Sequence, residues 1–353
     1  MPDSLDFELV TSEQRLLALE PEWRQLFEAA GRPSPFIDFD WVLMCWRQLA
    51  ADGRNLPVVA IVRERGRLVL ALALQRERKG SFYRYAGAHT SLPTYDWPLV
   101  SPQGDPALWL NKVVEMVRRD WRCFGILLNR VREDAPIVPV LSAYPHVRHN
   151  PRAVVELEGG FAAYMATFSA MSRQQVRRYQ RRLIPGGNVP LRLSTAATYD
   201  ADLDWLLLQK RAWTPPGSDT LHDWLVRSDY EQGLRDLCRR WIEDGRAQLG
   251  FIEADGRRVA GALSFVAGTD VIYYLITYDP QFATVSPGRM LTLKLIEHAA
   301  AKGCELFDFM GGQWEWKERL QTNVLVELAV DLGAPRWLHL VRRVVSSHKN
   351  LPR

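Results

Sequence analysis

The 353 residues include only four cysteines, Cys45, Cys123, Cys238 and Cys304. No two are close in sequence, so there is neither a zinc-ligand spacing nor a CxxC redox pair. The pattern predicts isolated thiols in a reducing compartment. His89, His222 and the other histidines form no metal spacing either, and no metal is expected. No uncharged apolar run approaches the roughly 20 residues that span a bilayer. The longest candidates, Pro57–Leu74 and Val259–Tyr278, are broken by Arg63, Glu64 and Arg65, and by Asp270. Met1-Pro2-Asp3-Ser4-Leu5-Asp6 contains no apolar signal core. A cytoplasmic protein without a membrane span is the expectation. An excess of one charge is also missing. The count is 45 basic against 41 acidic residues, formally +4, too even for a dedicated DNA binder. Hydrophobic residues make up 47% and charged residues 24%, which excludes a disordered tail, a collagen-like fibre and a coiled coil.

What is present is length, tryptophan and a repeated order of elements. At roughly 150 residues per domain, the chain predicts two lobes. Thirteen Trp are many, and several lie in polar, turn-rich segments. Helical spacing covers Glu22–Ala30 and Phe39–Leu49. Val58–Val62 and Leu68–Gln75 read as a hairpin around the polar turn Arg63–Arg67. Ser81–Ala86 reads as a third strand, Asp105–Arg119 as a helix and Cys123–Leu128 as a buried strand. The order recurs later. Gln248–Glu253 and Val259–Val266 flank Asp255-Gly256, a tight-turn signal. Val271–Thr277 is a third strand, Gly288–Ala301 a helix closed by Gly303, and Cys304–Phe309 the next strand. Asp52-Gly53-Arg54 and Asp244-Gly245-Arg246 precede the two hairpins. Either the halves are a degenerate duplication or two unrelated α/β lobes share chance tripeptides. The expected division is 1–150 and 151–353, with a linker near Tyr144–Pro151. Phe161–Leu183 reads as one helix with a buried face, ended by Pro185-Gly186-Gly187. Asp202–Trp213 and His222–Glu243 are two further helices.

Two segments carry candidate chemistry. The helix preceding Pro185 holds Arg173, Arg177, Arg178, Arg181 and Arg182. It is either an anion-binding face, for a nucleotide-sugar or RNA, or a solvated face paired with Glu8, Glu13, Glu20 and Glu22. The second segment is the loop Asp279–Arg289. Ser286 is a good N-cap and Pro287 suits the first helical position. Gly288 leaves room for close backbone approach. Free N–H groups and the positive dipole end make such a helix start an anion site, to which Arg289 adds charge. A plainly capped helix is the other reading.

Taken in order, these residues resemble the GNAT acyltransferase superfamily. The pattern runs Tyr278-Asp279, Ser286-Pro287-Gly288, Leu291, Gly303, Asp308, Gly311-Gly312 and Trp316-Lys317. The nearest branch is the two-lobed, CelD-like acetyltransferases associated with cellulose biosynthesis. Pro35-Phe36 before Trp41, Asp96 in Thr94–Leu99, the arginine helix and Lys210-Arg211-Ala212-Trp213 extend the resemblance over roughly Ser34 to Leu325. The resemblance implies an α/β (α+β) protein of tandem GNAT-like lobes, each a mixed sheet flanked by helices. It implies an acyl-CoA site, acetyl-CoA foremost, in the second lobe. Leu275, Ile276 and Thr277 would pair with the pantetheine arm; Ser286, Gly288, Arg289 and Met290 would hold the pyrophosphate. The first lobe has no Ser-Pro-Gly helix start and would shape the acceptor pocket. Two departures stand out: Trp316 where tyrosine is common, and Gln313 where an acid is often seen.

Acyl transfer to an amine needs a base and an acid for the leaving thiolate, and above all positioning. Asp308 is the first candidate, as base or amine-binding carboxylate; its other reading is a cap on the Gly311–Trp314 loop. Asp96 either binds the acceptor or makes an Asx-turn before Pro98. Tyr278 is either the thiolate acid or core. Lys317 binds an acidic acceptor group or loop carbonyls. Arg177, Trp213, Trp314 and Trp316 are candidate acceptor-binding residues, the tryptophans otherwise packing. The expected activity is acyl-CoA-dependent N-acyl transfer to a small-molecule or saccharide amine. An aminoacyl-tRNA-dependent transferase is one alternative, with tRNA as a partner in that case alone; a non-catalytic module for an anionic ligand is the other.

Overall fold

The structure is a computed structural model that describes residues 5–88, 94–213, 228–312 and 314–333. Its strands are β1 (Leu5–Val10), β2 (Leu56–Glu64), β3 (Arg67–Lys79), β4 (Phe82–Gly87), β5 (Leu99–Val100), β6 (Cys123–Arg132), β7 (His146–Glu156), β8 (Arg192–Leu193), β9 (Ala247–Ala254), β10 (Arg257–Ala267), β11 (Asp270–Tyr278), β12 (Leu306–Gly311) and β13 (Asn323–Leu332). The chain divides into two compact units. Asn150–Leu325 forms one; the residues up to His149, together with those from Val326, form the other. A second lobe running from 151 to the end is therefore corrected: the chain re-enters the first unit through β13.

In the first unit the strand order is β1-β2-β3-β4-β6-β13, with β5 beside β3. Only β4 and β6 are parallel. Arg65 (φ 52°) and Gly66 (φ 79°) both take left-handed backbone in the β2–β3 turn, the geometry whose twist matches the flanking strands. The helix Phe39–Asp52 buries Phe39, Trp41, Cys45, Trp46 and Leu49. The helix Pro106–Arg118 buries Trp109, Leu110, Val113, Val114 and Val117. Each such side chain contributes about 1.5–3 kcal/mol on leaving water.

In the second unit the order is β7-β12-β11-β10-β9-β8, and only β11 and β12 are parallel. Both units thus hold an antiparallel three-strand meander, then a parallel strand reached through a helix, then an antiparallel strand. Asp255 (φ 51°) and Gly256 (φ 71°) close the β9–β10 hairpin as Arg65 and Gly66 close β2–β3. The helix Pro287–Ala301 buries Met290, Leu291, Leu293, Leu295 and Ile296. Trp241, on the helix Ser228–Glu243, meets Phe265 of β10 edge-on at 5.6 Å. Asp202, in the helix Tyr199–Trp213, is fully buried. It accepts hydrogen bonds from Arg192, Ser194 and Arg258 at 2.5–2.8 Å, tying β8 and β10 to that helix.

Three expectations change. The linker at Tyr144–Pro151 is strand: β7 begins at His146, and Pro151 still serves the sheet by its carbonyl, which accepts from Gly312 N–H at 3.2 Å. Phe161–Leu183 is two helices, Gly160–Ala166 and Ala170–Leu183. Ser169 accepts from Ser172 N–H as the second helix's cap, and Arg173 donates to the carbonyls of Met165, Ala166 and Phe168 that the break leaves open. The helix expected over His222–Glu243 is described from Ser228; 214–227 lie outside the described residues. The four cysteines are free thiols. Among the described residues no helix is long and apolar enough to cross a membrane, and no group of three potential ligands gathers for a metal.

Candidate functional site

In the second unit two parallel strands part. β11 and β12 pair only at Asp270–Ile272 with Leu306–Asp308. Beyond that, β11 continues to Tyr278 on β10, while β12 meets β7 again at Gly311↔Arg152. Two irregularities open the gap. β10 and β11 shift register at Leu263/Ser264, and β12 shifts against β7 between Asp308 and Gly311, where Met310 has φ 61°. Positive φ at a non-glycine residue is strained backbone of the sort that collects at functional sites. The edge of β11 that faces the gap is therefore free to pair with something other than β12.

The far end of β11 leads to a helix start. Pro280–Val285 makes a tight turn, and Ser286 enters the helix Pro287–Ala301 with left-handed backbone, φ 49° and ψ 57°. The Ser286 hydroxyl caps nothing, which corrects the N-cap reading. A residue in left-handed backbone aims its side chain away from the first-turn N–H groups that an extended N-cap reaches. The N–H groups of Gly288 and Arg289 have no acceptor among the described residues. Met290 is not available: its N–H bonds Ser286 O at 3.2 Å and its side chain is buried. A Cβ at Gly288 would lie 3.5 Å from Ile276 Cδ1 and from Tyr278 Cδ1, ordinary contact, so the protein's own packing does not require glycine there.

Arg289 stands beside these amides. Its Nη1 donates to Gln175 at 3.2 Å and its guanidinium lies 5.8 Å from the Phe168 ring. Its buried Nε has no partner and no carboxylate pairs with it among the described residues. Burial, with Arg319 nearby, lowers its pKa. A half-buried cation without a counter-ion, next to free helix N–H groups, has the chemistry to receive an anion. On β11, Leu275 is buried, Thr277 is fully buried with Oγ1 unpartnered, and the Ile276 carbonyl accepts from Lys210 Nζ at 3.2 Å. Burial pushes the Lys210 ammonium below the ordinary lysine value.

The residues on β12 and after it are committed within the protein. Asp308 is fully buried, with Arg152 Nη1 on Oδ2 at 2.6 Å and Met310 N–H on Oδ1 at 2.7 Å. A carboxylate closed off in this way is not presented to a substrate, so the base role is corrected to holding the β12 bend. Lys317, also buried, donates to the carbonyls of Met310 and Gly311 at 3.2 and 3.0 Å, which leaves the loop-carbonyl reading. Trp316 packs edge-on against Phe309 at 5.5 Å and Tyr273 at 6.4 Å. Trp314 is 62% exposed and lines a small cleft with Pro151, Ala153, Gly312 and Lys317. Tyr278 lies at the helix-start end of β11, over Gly288. The Trp213 side chain lies outside the described residues, as do His89, His222 and Gln313.

Asp96 belongs to the first unit. It is buried over Gly87, with Oδ1 accepting from Thr94 at 3.2 Å and Oδ2 unpartnered. Its backbone N–H bonds Arg130 O at 3.0 Å, and no Asx-turn forms before Pro98. On the helix Ala170–Leu183, Arg177, Arg178, Arg181 and Arg182 are exposed and have no partner among the described residues. The acids expected to pair with them are taken: Glu8 by Arg15 and Arg63, Glu13 by Arg47, Glu20 by Arg24 and Glu22 by Arg63. Arg152, which holds Asp308, is not singled out in the sequence, and Lys210, which reaches the Ile276 carbonyl, is singled out there only as part of Lys210-Arg211-Ala212-Trp213. Arg152 opens the buried stretch of β7 and is followed by the apolar Ala153-Val154-Val155, a weak signal for a buried ion pair.

Residues 170–318 match the family model of the acetyltransferase (GNAT) domain. The matched stretch lies within the second unit, the one that holds the parted strands and the helix start. Similar solved structures include FemX, at 12% identity and TM-score 0.59, over 90% of this chain and 97% of that one. A conserved protein of unknown function from Bacteroides thetaiotaomicron is similar at 11% identity and TM-score 0.57, over 93% and 100%. The C-terminal domain of a putative lysylphosphatidylglycerol synthetase from Agrobacterium fabrum is similar at 13% and 0.52, over 92% and 96%. At such identities the likeness is one of fold. No curated protein matches the chain.

Proposed function

We propose that the second unit transfers an acyl group from an acyl-CoA thioester to an amine of a small molecule or a saccharide precursor. One observation carries this reading: the β11 edge left unpaired past Ile272 runs to the free N–H groups of Gly288 and Arg289. Ile272 and Tyr278 are six residue steps apart, about 20 Å of strand. That is an extended track with an anion site at one end. Gly288 and Arg289 would hold the donor's diphosphate, and the β11 backbone beyond its pairing with β12 the amide-containing arm, with Lys210 at the Ile276 carbonyl. Tyr278 then sits at the diphosphate end, remote from the parting of the strands, and steadies the donor rather than protonating a thiolate. Asp308, Arg152 and Lys317 fix the bend in β12 that keeps the gap open. Catalysis on this reading is mostly positioning, the effect that can supply the largest share of an acyl-transfer rate. The Ser286-Pro287-Gly288 start supports the CelD-like branch of the superfamily, and the free thiols suit a cytoplasmic setting.

A second reading, an aminoacyl-tRNA donor, is favoured by the arginine face. From 159 to 199 the chain has six Arg and no Asp or Glu, and four of those arginines are unpaired. Polyanion binding through such a face is strongly salt-dependent. Thermal shift of the full chain with acetyl-CoA, longer acyl-CoAs and tRNA separates the readings. The first expects stabilisation by a CoA thioester at ordinary salt. Stabilisation by tRNA alone, lost as salt is raised, overturns it in favour of the second.

A further inference from the structure

We infer that Arg178 and Arg182 receive a second phosphate of the donor, a monoester one ribose away from the diphosphate, as on the 3′-hydroxyl of CoA. This site rests on the donor reading above, since the diphosphate at Gly288 and Arg289 sets its position. Gln175, on the helix Ala170–Leu183, joins the two places. Its Oε1 accepts from Arg289 Nη1 at 3.2 Å, and its Nε2 donates to the Tyr179 hydroxyl at 3.1 Å.

Helix geometry decides which arginines lie beside Gln175. At about 100° per residue, Arg178 and Arg182 fall within about 60° of Gln175, and Arg177 and Arg181 fall about 120° or more away. Arg178, three residues on, is a direct neighbour of Gln175, with Cβ atoms about 5–6 Å apart. Arg182 stands one turn further along the same stripe. Arg177 and Arg181 share a different side, and the Arg181 stem lies against Gly187. All four are exposed, and none has a partner among the described residues. Arg319, also near Arg289, is committed to Glu315. From 159 to 199 there is no Asp or Glu, so no carboxylate of that stretch competes for Arg178 and Arg182. A phosphomonoester carries more charge than either phosphate of a diphosphate diester, so it gains most from a pair of free cations. Two guanidiniums one turn apart can fork onto it, a geometry that suits Arg and phosphate.

Titration calorimetry on the full chain compares CoA with dephospho-CoA, which lacks only the 3′-phosphate, at about 0.15 M salt. The wild-type chain should bind CoA about tenfold or more tightly. Arg178→Gln with Arg182→Gln should bring CoA down to the affinity of dephospho-CoA, and leave dephospho-CoA within about twofold. Arg177→Gln with Arg181→Gln removes the same charge from another side of the helix and should keep the preference. All four side chains are exposed, so both variants should keep their Tm. Equal affinity for the two ligands in the wild-type chain overturns the site and leaves the donor reading in place. So does a preference that survives in the first variant, or one that falls equally in both through diffuse attraction of polyanions such as tRNA. Binding of neither ligand removes the donor reading and this site with it.

Discussion

At the scale of single residues, the chemistry lies in groups that are left open and the architecture in groups that are closed. Asp308 and Lys317 are closed: each spends its polar atoms on the β12 bend. Asp308→Asn removes one charge of an ion pair in which both side chains are fully buried, a loss of about 3 kcal/mol or more. The expected result is a Tm lowered by about 6–12 °C, measured by calorimetry. A wild-type Tm with turnover cut tenfold would instead return Asp308 to the role of base. Arg289, Gly288 and the face of Arg177 to Arg182 are open. Sequence alone named Asp308, Lys317, Ser286 and Gly288, because acids, cations and Ser-Pro-Gly starts are local signals. It did not reveal that Asp308 is paired, since Arg152 is 156 residues away and nothing local encodes that meeting. Nor does it reveal the left-handed backbone of Ser286, which depends on how the Pro280–Val285 turn closes.

At the scale of elements, the meanders and the helix after Pro287 were legible, because hairpin turns and apolar periodicity are short-range. β7 and β13 were not. Their partners, β12 and β6, lie 150 or more residues away in sequence, and strand pairing of that range leaves no periodic mark beyond alternation. The helix Tyr199–Trp213 is fixed to the sheet by Asp202. Burial alone would raise the Asp202 pKa, but its hydrogen bonds from Arg192, Ser194 and Arg258 outweigh that and hold it well below the usual carboxylate range. A lowered folded-state value stabilises above the unfolded pKa of about 4 and is lost as pH falls through the folded value. Asp202→Asn should therefore cost about 3 kcal/mol at pH 7, and the gap to wild type should narrow as pH drops below about 4. Denaturant melts at pH 7, 5, 4 and 3 measure this. A gap that stays constant to pH 3 would show that the charge of Asp202 does not hold the helix.

At the scale of the molecule, the two units share one order of strands but not one equipment. Both have the meander, the parallel strand and the closing antiparallel strand. Ser286-Pro287-Gly288 has no counterpart between Asp96 and Pro106, and the match to an acetyltransferase (GNAT) domain lies wholly within the second unit. The even balance of charge in the sequence also resolves into two populations. Glu8, Glu13, Glu20 and Glu22 are matched to arginines within the first unit, while Arg177, Arg178, Arg181 and Arg182 of the second have no acid partner among the described residues.

The central claim is that Gly288 and Arg289 receive the diphosphate of an acyl-CoA donor. Isothermal calorimetry of acetyl-CoA against the wild-type chain and Gly288→Glu tests it most directly. A side chain at Gly288 meets only ordinary contacts, and a carboxylate suits a helix N-terminus, so the variant should keep its Tm. It should nevertheless lose at least about tenfold in acetyl-CoA affinity through repulsion and blocked approach. Equal affinity in both proteins, or no binding to either, would contradict the account.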